Sequence, residues 1–203
     1  MRSPILRRKF VQTCALGLVI EGTIGWQALQ GKTLPLPAGV IRPPGALPET
    51  QFSAACIRCG LCVQACPFDT LRLADTDMPL APGTPYFHAR DIPCAMCVDI
   101  PCLKACPTGA LSPKITDIND ARMGVAVLSH PGQCNSYIGS SYCNACYRAC
   151  PLKGTAITLK QGRTPMNGMF TPTVDANVCT GCGQCEKACI APDAAITVVT
   201  RHA

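Results

Sequence analysis

The chain has 203 residues, enough for one compact domain or two small ones. Only 5% of them are aromatic and 15% charged, against 19 prolines and 17 glycines, so loops dominate and large core side chains are scarce. The formal charge is +6, but no basic run with interleaved aromatics accompanies it, which argues against a nucleic-acid partner.

Residues 1–33 differ from the rest. Arg2, Arg7, Arg8 and Lys9 precede a moderately apolar stretch from Phe10 to Trp26, interrupted by Glu21. Arg7-Arg8-Lys9-Phe10-Val11 has the order of a twin-arginine export signal, with paired arginines before an aromatic and an aliphatic residue. The stretch is shorter than the ~20 apolar residues a membrane span needs. No small-x-small cleavage site follows it, so a cleaved signal and a retained tether both stay open. Cys14 lies here as the odd one of seventeen cysteines and is read as a bystander. Residues 34–50 hold Pro35, Pro37, Pro43, Pro44 and Pro48, and are expected to be an extended linker that packs little by itself. No later hydrophobic stretch reaches 18 residues.

The other sixteen cysteines fall into four groups of four. The first is Cys56-x2-Cys59-x2-Cys62-x3-Cys66-Pro67, and the fourth repeats it as Cys179-x2-Cys182-x2-Cys185-x3-Cys189. The second widens one gap, Cys94-x2-Cys97-x4-Cys102-x3-Cys106-Pro107, and so does the third, Cys134-x8-Cys143-x2-Cys146-x3-Cys150-Pro151. A cubane iron–sulfur cluster needs four soft thiolates converging from different directions. Three closely spaced cysteines wrap one cluster. The fourth comes as the chain turns into a helix, and it points away toward a neighbouring cluster. The groups are therefore expected to exchange their last cysteine. Pairing the first with the second and the third with the fourth closes the shorter loops; the nested alternative, first with fourth and second with third, stays open.

Structural zinc prefers two Cys pairs or Cys–His mixes. Cysteines three apart, repeated this regularly, suit a metal better than disulfide bridges, and redox dithiols occur singly beside a βαβ pattern. Four [4Fe–4S] clusters, held by all sixteen grouped cysteines, are the expected cofactors. Each oxidised cubane with its thiolates carries about −2, so four turn the formal +6 into about −2. Metal binding is expected to contribute folding free energy, leaving an apoprotein that is largely unfolded.

The cysteine groups are separated by 27, 27 and 28 residues, an internal repeat. Short strands are predicted at 70–73, 109–111, 156–159 and 195–199, with leading strands at 124–128 and 173–175. The expected fold is α+β: tandem bacterial-type ferredoxin-like units, loop-rich, with short strands and short helices wrapped around the clusters. Units at 51–118 and 119–203 each take two cysteine groups. His88, His130 and His202 are read as surface or structural, since no group lacks a cysteine. Tyr142 and Tyr147 flank candidate ligands, where they could shield a cluster from water or simply pack. Asp91 and Asp99 lie near the second group. No G-x-G-x-x-G, P-loop or G-x-S-x-G motif is present, and a non-catalytic role is expected.

Stretches between the cysteine groups resemble a known family. Arg42-Pro43-Pro44-Gly45-Ala46, Cys56 through Leu73, Gly83-Thr84-Pro85-Tyr86-Phe87 and Ala89-Arg90-Asp91-Ile92-Pro93-Cys94 look like the NapG/MauM ferredoxin-type proteins. Asp120-Ala121-Arg122-Met123-Gly124, Cys143 through Pro151 and Cys179-Thr180-Gly181-Cys182-Gly183 continue the resemblance. It implies an exported protein with four [4Fe–4S] clusters at the periplasmic face of the inner membrane. Its partner would be a multi-span, quinol-oxidising membrane iron–sulfur protein of the NapH type. Electrons would pass on to haem and molybdenum components of periplasmic nitrate reductase. The MauM branch implies instead a role in methylamine dehydrogenase utilisation, in electron transfer or maturation. The fourth group departs from the pattern after Cys189, where Ile190-Ala191-Pro192 displaces the proline.

Overall fold

The computed structural model describes residues 36–201. Arg7, Arg8, Cys14 and His202 therefore lie outside the described residues.

Short elements alternate with long connections. In the first half they are β1 (Val40–Ile41), α1 (Glu49–Ala55), α2 (Leu61–Gln64), β2 (Arg72–Leu73), β3 (Pro85–His88) and α3 (Pro101–Lys104). The second half holds β4 (Gly124–Val127), α4 (Asn135–Ile138), α5 (Ala145–Ala149), β5 (Ile157–Gln161), β6 (Phe170–Val174), α6 (Gln184–Lys187) and β7 (Thr197–Thr200). The architecture is mixed α and β, and no described helix is long and apolar enough to cross a membrane.

Every strand pairing is antiparallel and stays within its half. β3 is the centre of a three-stranded sheet, with Ile41 opposite Phe87 on one side and Arg72 opposite Tyr86 on the other. β4 pairs β7 with Gly124 opposite Thr200, and β5 pairs β6 with Ile157 opposite Val174. Pro172 sits inside β6 but in a two-stranded ribbon, where a strand has a free edge for a residue that cannot donate.

Residues 36–50 depart from the expected linker. Val40, Ile41, Arg42 and Pro43 are buried, and β1 completes the sheet by pairing with β3. The reason is composition: Val-Ile is the apolar pair available to cover Phe87, and a chain this poor in large side chains uses it. Arg42 follows into the interior because partners await it there. Its Nε donates to Glu49 at 3.0 Å, its guanidinium to Thr84 Oγ1 at 3.0 Å and the Pro85 carbonyl at 2.8 Å, and its carbon lies 4.7 Å from the centre of the Phe52 ring. Buried charge is tolerated only when paired and hydrogen-bonded in this way.

α1 is the longest described helix and was not signalled by the cysteine pattern. Glu49 stands in its first turn and Phe52 buries its apolar face completely. The predicted strand at 109–111 is reduced to one bridge between Leu111 and Ala46, because Gly109 adopts φ 72°. The main hydrophobic core runs from Ile41, Phe52 and Phe87 through Leu111 to Ile196 and Val198, with six cysteines in it, and a small second cluster gathers Val40, Ala74 and Tyr86.

Candidate metal centres

Tight turns position the cysteines. Between the first two cysteines of the first, second and fourth groups, Arg58, Met96 and Gly181 adopt φ of 59°, 58° and 76°. Such left-handed residues curl the chain so that successive N–H groups face one point. A second left-handed residue precedes each short helix that follows, namely Gly60, Ile100 and Gly183. The widened gaps have a local cause. The x4 of the second group holds the Ile100-Pro101 helix entry, and the x8 of the third holds α4, closed by Gly139 at φ 76°.

Four cavities result, each lined by four of the predicted cysteines. Cys56, Cys59, Cys62 and Cys106 line one. Cys94, Cys97, Cys102 and Cys66 line another. Cys134, Cys143, Cys146 and Cys189 line a third, and Cys179, Cys182, Cys185 and Cys150 a fourth. In every case three sulfurs come from one group and one from its neighbour. The first and second groups exchange their last cysteine, as do the third and fourth. None of the sixteen is in a disulfide, and Cys59 is the one whose residue is exposed.

Among the described residues, no three His, Cys, Asp or Glu side chains come close enough to hold a single metal ion. A tetrahedral zinc site draws its sulfurs to about 2.3 Å from one centre. Here four sulfurs surround a space instead, which suits a polynuclear cluster. The surroundings are largely apolar: Phe52, Ile57, Ala110 and Leu111 at the first cavity, with Arg58 and Thr108 beside them, and Leu128, Ala145, Ala195 and Ile196 at the third, with Gln133 and Asn135. Main-chain N–H groups reach sulfur at three of the exchanged or leading cysteines. Leu111 donates to Cys106 at 3.5 Å, Ala126 to Cys179 at 3.5 Å and Ala195 to Cys189 at 3.3 Å.

Burial pushes the bare thiols up, and neighbouring thiols add to the effect. Cys94 and Cys102 rise to about 12, Cys62 and Cys146 to about 11, and Cys185 is raised well above the ordinary range. Cys106 moves the other way. Burial raises it too, but hydrogen bonds from the Leu111, Thr108 and Gly109 main chain outweigh that, and its pKa falls. Four thiolates facing each other in an apolar cavity are unfavourable without a positively charged metal core. The donor set and its setting fit a cluster.

The remaining sequence candidates stand aside. His88 Nδ1 lies 2.9 Å from the Gly39 carbonyl and His130 Nδ1 3.2 Å from that of Ala194, and neither lines a cysteine cavity. Tyr142 is exposed and meets Phe170 edge-on, whereas Tyr147 packs against the core. Asp91 and Asp99 are on the surface, and the Asp99 charge contributes, after burial, to raising Cys97. The cysteine spacing gave no sign of Arg90 or Glu186. Arg90 spans the halves, donating to the carbonyls of Glu186 and Cys189 at 2.7 Å each and to that of Ala191 at 2.8 Å. Glu186 is buried beside Cys185 and accepts the Val198 N–H at 2.6 Å.

The chain matches the model of the 4Fe-4S dicluster domain twice, over residues 55–110 and 141–191. It is 50% identical over 204 residues to the methylamine utilization ferredoxin-type protein MauM of Methylobacillus flagellatus, covering all of this chain and 86% of that protein. It is 49% identical over 199 residues to the ferredoxin-type protein NapG of Escherichia coli, covering 95% of this chain and 85% of that protein. The ferredoxin-type protein NapF of Escherichia coli is 30% identical over 80% of this chain. Cysteine cavities, a doubled dicluster match and near-full-length identity agree: the chain belongs to the NapG/MauM family of ferredoxin-type proteins.

Proposed function

We propose that this protein is a non-catalytic electron carrier that holds four [4Fe–4S] clusters and works outside the cytoplasmic membrane. The observation that carries the reading is the gathering of sixteen cysteines into four apolar cavities of four. On this reading each cavity's cysteines are the four ligands of one cubane, and units 51–118 and 119–203 hold two apiece. A bound cubane supplies a one-electron store whose potential follows its surroundings. The chain supplies thiolates, keeps water away with side chains such as Leu111 and Ile196, and offers N–H groups to sulfur from Leu111, Ala126 and Ala195. Those donors favour negative charge on the sulfurs and so favour the reduced state.

The electron source in this proposal is a quinol-oxidising membrane protein of the NapH type, and the destination is periplasmic nitrate reductase through its haem components. Export by the twin-arginine route, directed by Arg7 and Arg8, belongs to the same reading. The near-equal identity to a MauM protein supports a second pathway, in which the chain serves methylamine utilization. The two readings share the carrier and differ in its destination.

Anaerobic purification of the full chain is expected to give about sixteen iron and sixteen acid-labile sulfide per chain, as four cubanes require. Zinc without sulfide would end the cluster reading. In membranes containing the partner, quinol is expected to reduce the protein, and the terminal acceptor to reoxidise it. No redox change on either addition would remove the carrier role.

A further inference from the structure

The exchange of last cysteines joins the sites in pairs. Cys62 and Cys66 are separated by one turn of chain, as are Cys102 and Cys106, so the Cys56 and Cys94 sites adjoin through α2 and α3, which pack together. Cys146 and Cys150, with Cys185 and Cys189, do the same for the Cys134 and Cys179 sites through α5 and α6. Pairing alone leaves four ways for one pair to face the other.

The contact between the halves selects one of them. The Cys94 N–H donates to the Cys182 carbonyl at 2.9 Å, the one hydrogen bond between candidate ligand cysteines of different halves among the described residues. Gln184 Nε2 donates back to the Cys94 carbonyl at 3.0 Å, and Thr180 Oγ1 lies 3.5 Å from Met96 Sδ. Gly183 passes so close to Ala89 that a Cβ there would lie within 3.0 Å of the Ala89 Cα. All four cavities are lined within their own halves, so the halves meet at the Cys94 and Cys179 sites through main-chain and side-chain contacts and share none of the four.

We infer that the four cysteine sites stand in a single unbranched file, in the order Cys56 site, Cys94 site, Cys179 site, Cys134 site. The chain order of the groups is thus not their spatial order: the third group forms an end, and the fourth lies inside. Arg90 also bridges the halves, and the Cys94–Cys182 contact is the crossing that joins one candidate ligand directly to another. This inference rests on the cluster reading above and adds the arrangement of its sites.

Magnetic coupling between reduced neighbours reads the order directly. The full-length holoprotein is fully reduced and its electron paramagnetic resonance spectrum compared with variants that each lack one site. Removing an inner site, by Cys179→Ala with Cys182→Ala or by Cys94→Ala with Cys97→Ala, is expected to leave one end cluster uncoupled, with a simple isolated signal. Removing an outer site, by Cys56→Ala with Cys59→Ala or by Cys134→Ala with Cys143→Ala, is expected to isolate none. Serine at the same positions, which keeps an oxygen ligand, replaces any alanine pair that does not fold. An isolated signal from either outer variant, or none from the inner variants with about twelve iron retained, would overturn the order. A failed cluster reading shows itself separately, as an unaltered protein without about sixteen iron.

Discussion

The guanidinium of Arg90 donates to the main-chain carbonyl of Cys189 at 2.7 Å, so a residue of the first half fixes the loop carrying the last cysteine of the second. The same side chain takes the Glu186 and Ala191 carbonyls, at the end of α6 and just beyond it. The Glu186 carbonyl, within the last turn of α6, also accepts the Cys189 N–H at 3.2 Å, and a cation is favoured at such a helix end. The fourth cysteine group departs from the other three at this point, since no proline directly follows Cys189. Arg90 supplies the constraint that the turn lacks.

Arg90→Ala is therefore expected to destabilise the holoprotein by about 2 kcal/mol, the range for losing hydrogen bonds from a charged donor. Arg90→Lys keeps the charge but loses the fork, and is expected to recover less than half of the loss. Thermal unfolding measures both. Iron analysis of partly unfolded samples is expected to show the cluster at Cys134, Cys143, Cys146 and Cys189 leaving first. Equal stability of all three proteins would show that the bridge is idle.

Arg42 and Glu49 form a pair inside the fold, with side chains 4% and 13% exposed. Losing one partner leaves the other buried and uncompensated. Glu49→Ala is expected to cost about 3–5 kcal/mol, the range for breaking a buried ion pair. The combined Arg42→Met and Glu49→Leu variant is expected to recover most of that, because no charge is then left inside. Denaturant unfolding of the three proteins checks the order, and a Glu49→Ala variant as stable as the parent would contradict it.

Gly183 has φ 85° and sits where the halves touch, with Ala89 in the space a Cβ would need. Gly183→Ala brings both a strained backbone and an overlap with the other half. The expected cost is about 2–3 kcal/mol, combining the left-handed penalty with overpacking. Gly109, at φ 72° with open space around it, provides the control. Gly109→Ala is expected to cost about 1 kcal/mol, for the backbone alone. Equal losses at the two positions would show that the close approach at Ala89 is unimportant.

What the sequence disclosed follows from what its spacing encodes. Cys-x2-Cys-x2-Cys is a local geometry, so the turns and the four-fold gathering were legible before any fold was known. The order of the sites was not, because it depends on Cys94 meeting Cys182 across 88 residues of chain. β1 was hidden for another reason. Its two residues carry no periodicity, and the prolines around Val40 and Ile41 signal an extended chain without saying that it is buried. Arg42 and Arg90 were read as part of a family resemblance. Their roles emerge only where Glu49, the Pro85 carbonyl and the Cys189 carbonyl surround them.

Twin-arginine export is open to a direct substitution. Replacing Arg7 and Arg8 by lysine keeps the charge but removes the paired guanidinium groups that such a signal presents. The variant is expected to remain in the cytoplasm with its iron intact, as measured by fractionation and metal analysis. Normal export would remove the localisation proposal while leaving the cluster sites untouched.

Removing the metal tests how far the cysteines hold the fold together. Cys62, Cys102, Cys146, Cys179, Cys182 and Cys185 are core residues, and around them the fully buried large side chains are few. Chelation under reducing conditions is expected to abolish most of the ordered circular dichroism signal. Any residual apo fold has a definite pH dependence. Burial raises Cys94 and Cys102 to about 12, above the roughly 8.5 of an unfolded thiol. The folded apoprotein thus keeps protons that the unfolded chain gives up. Its stability from these thiols is full below about pH 8.5 and declines as pH rises toward 12. Cluster insertion must strip the same protons, so reconstitution is expected to release protons and to proceed further at pH 8 than at pH 6. An apoprotein that keeps its native spectrum, or gains stability through that alkaline range, would show that the cavities persist without metal.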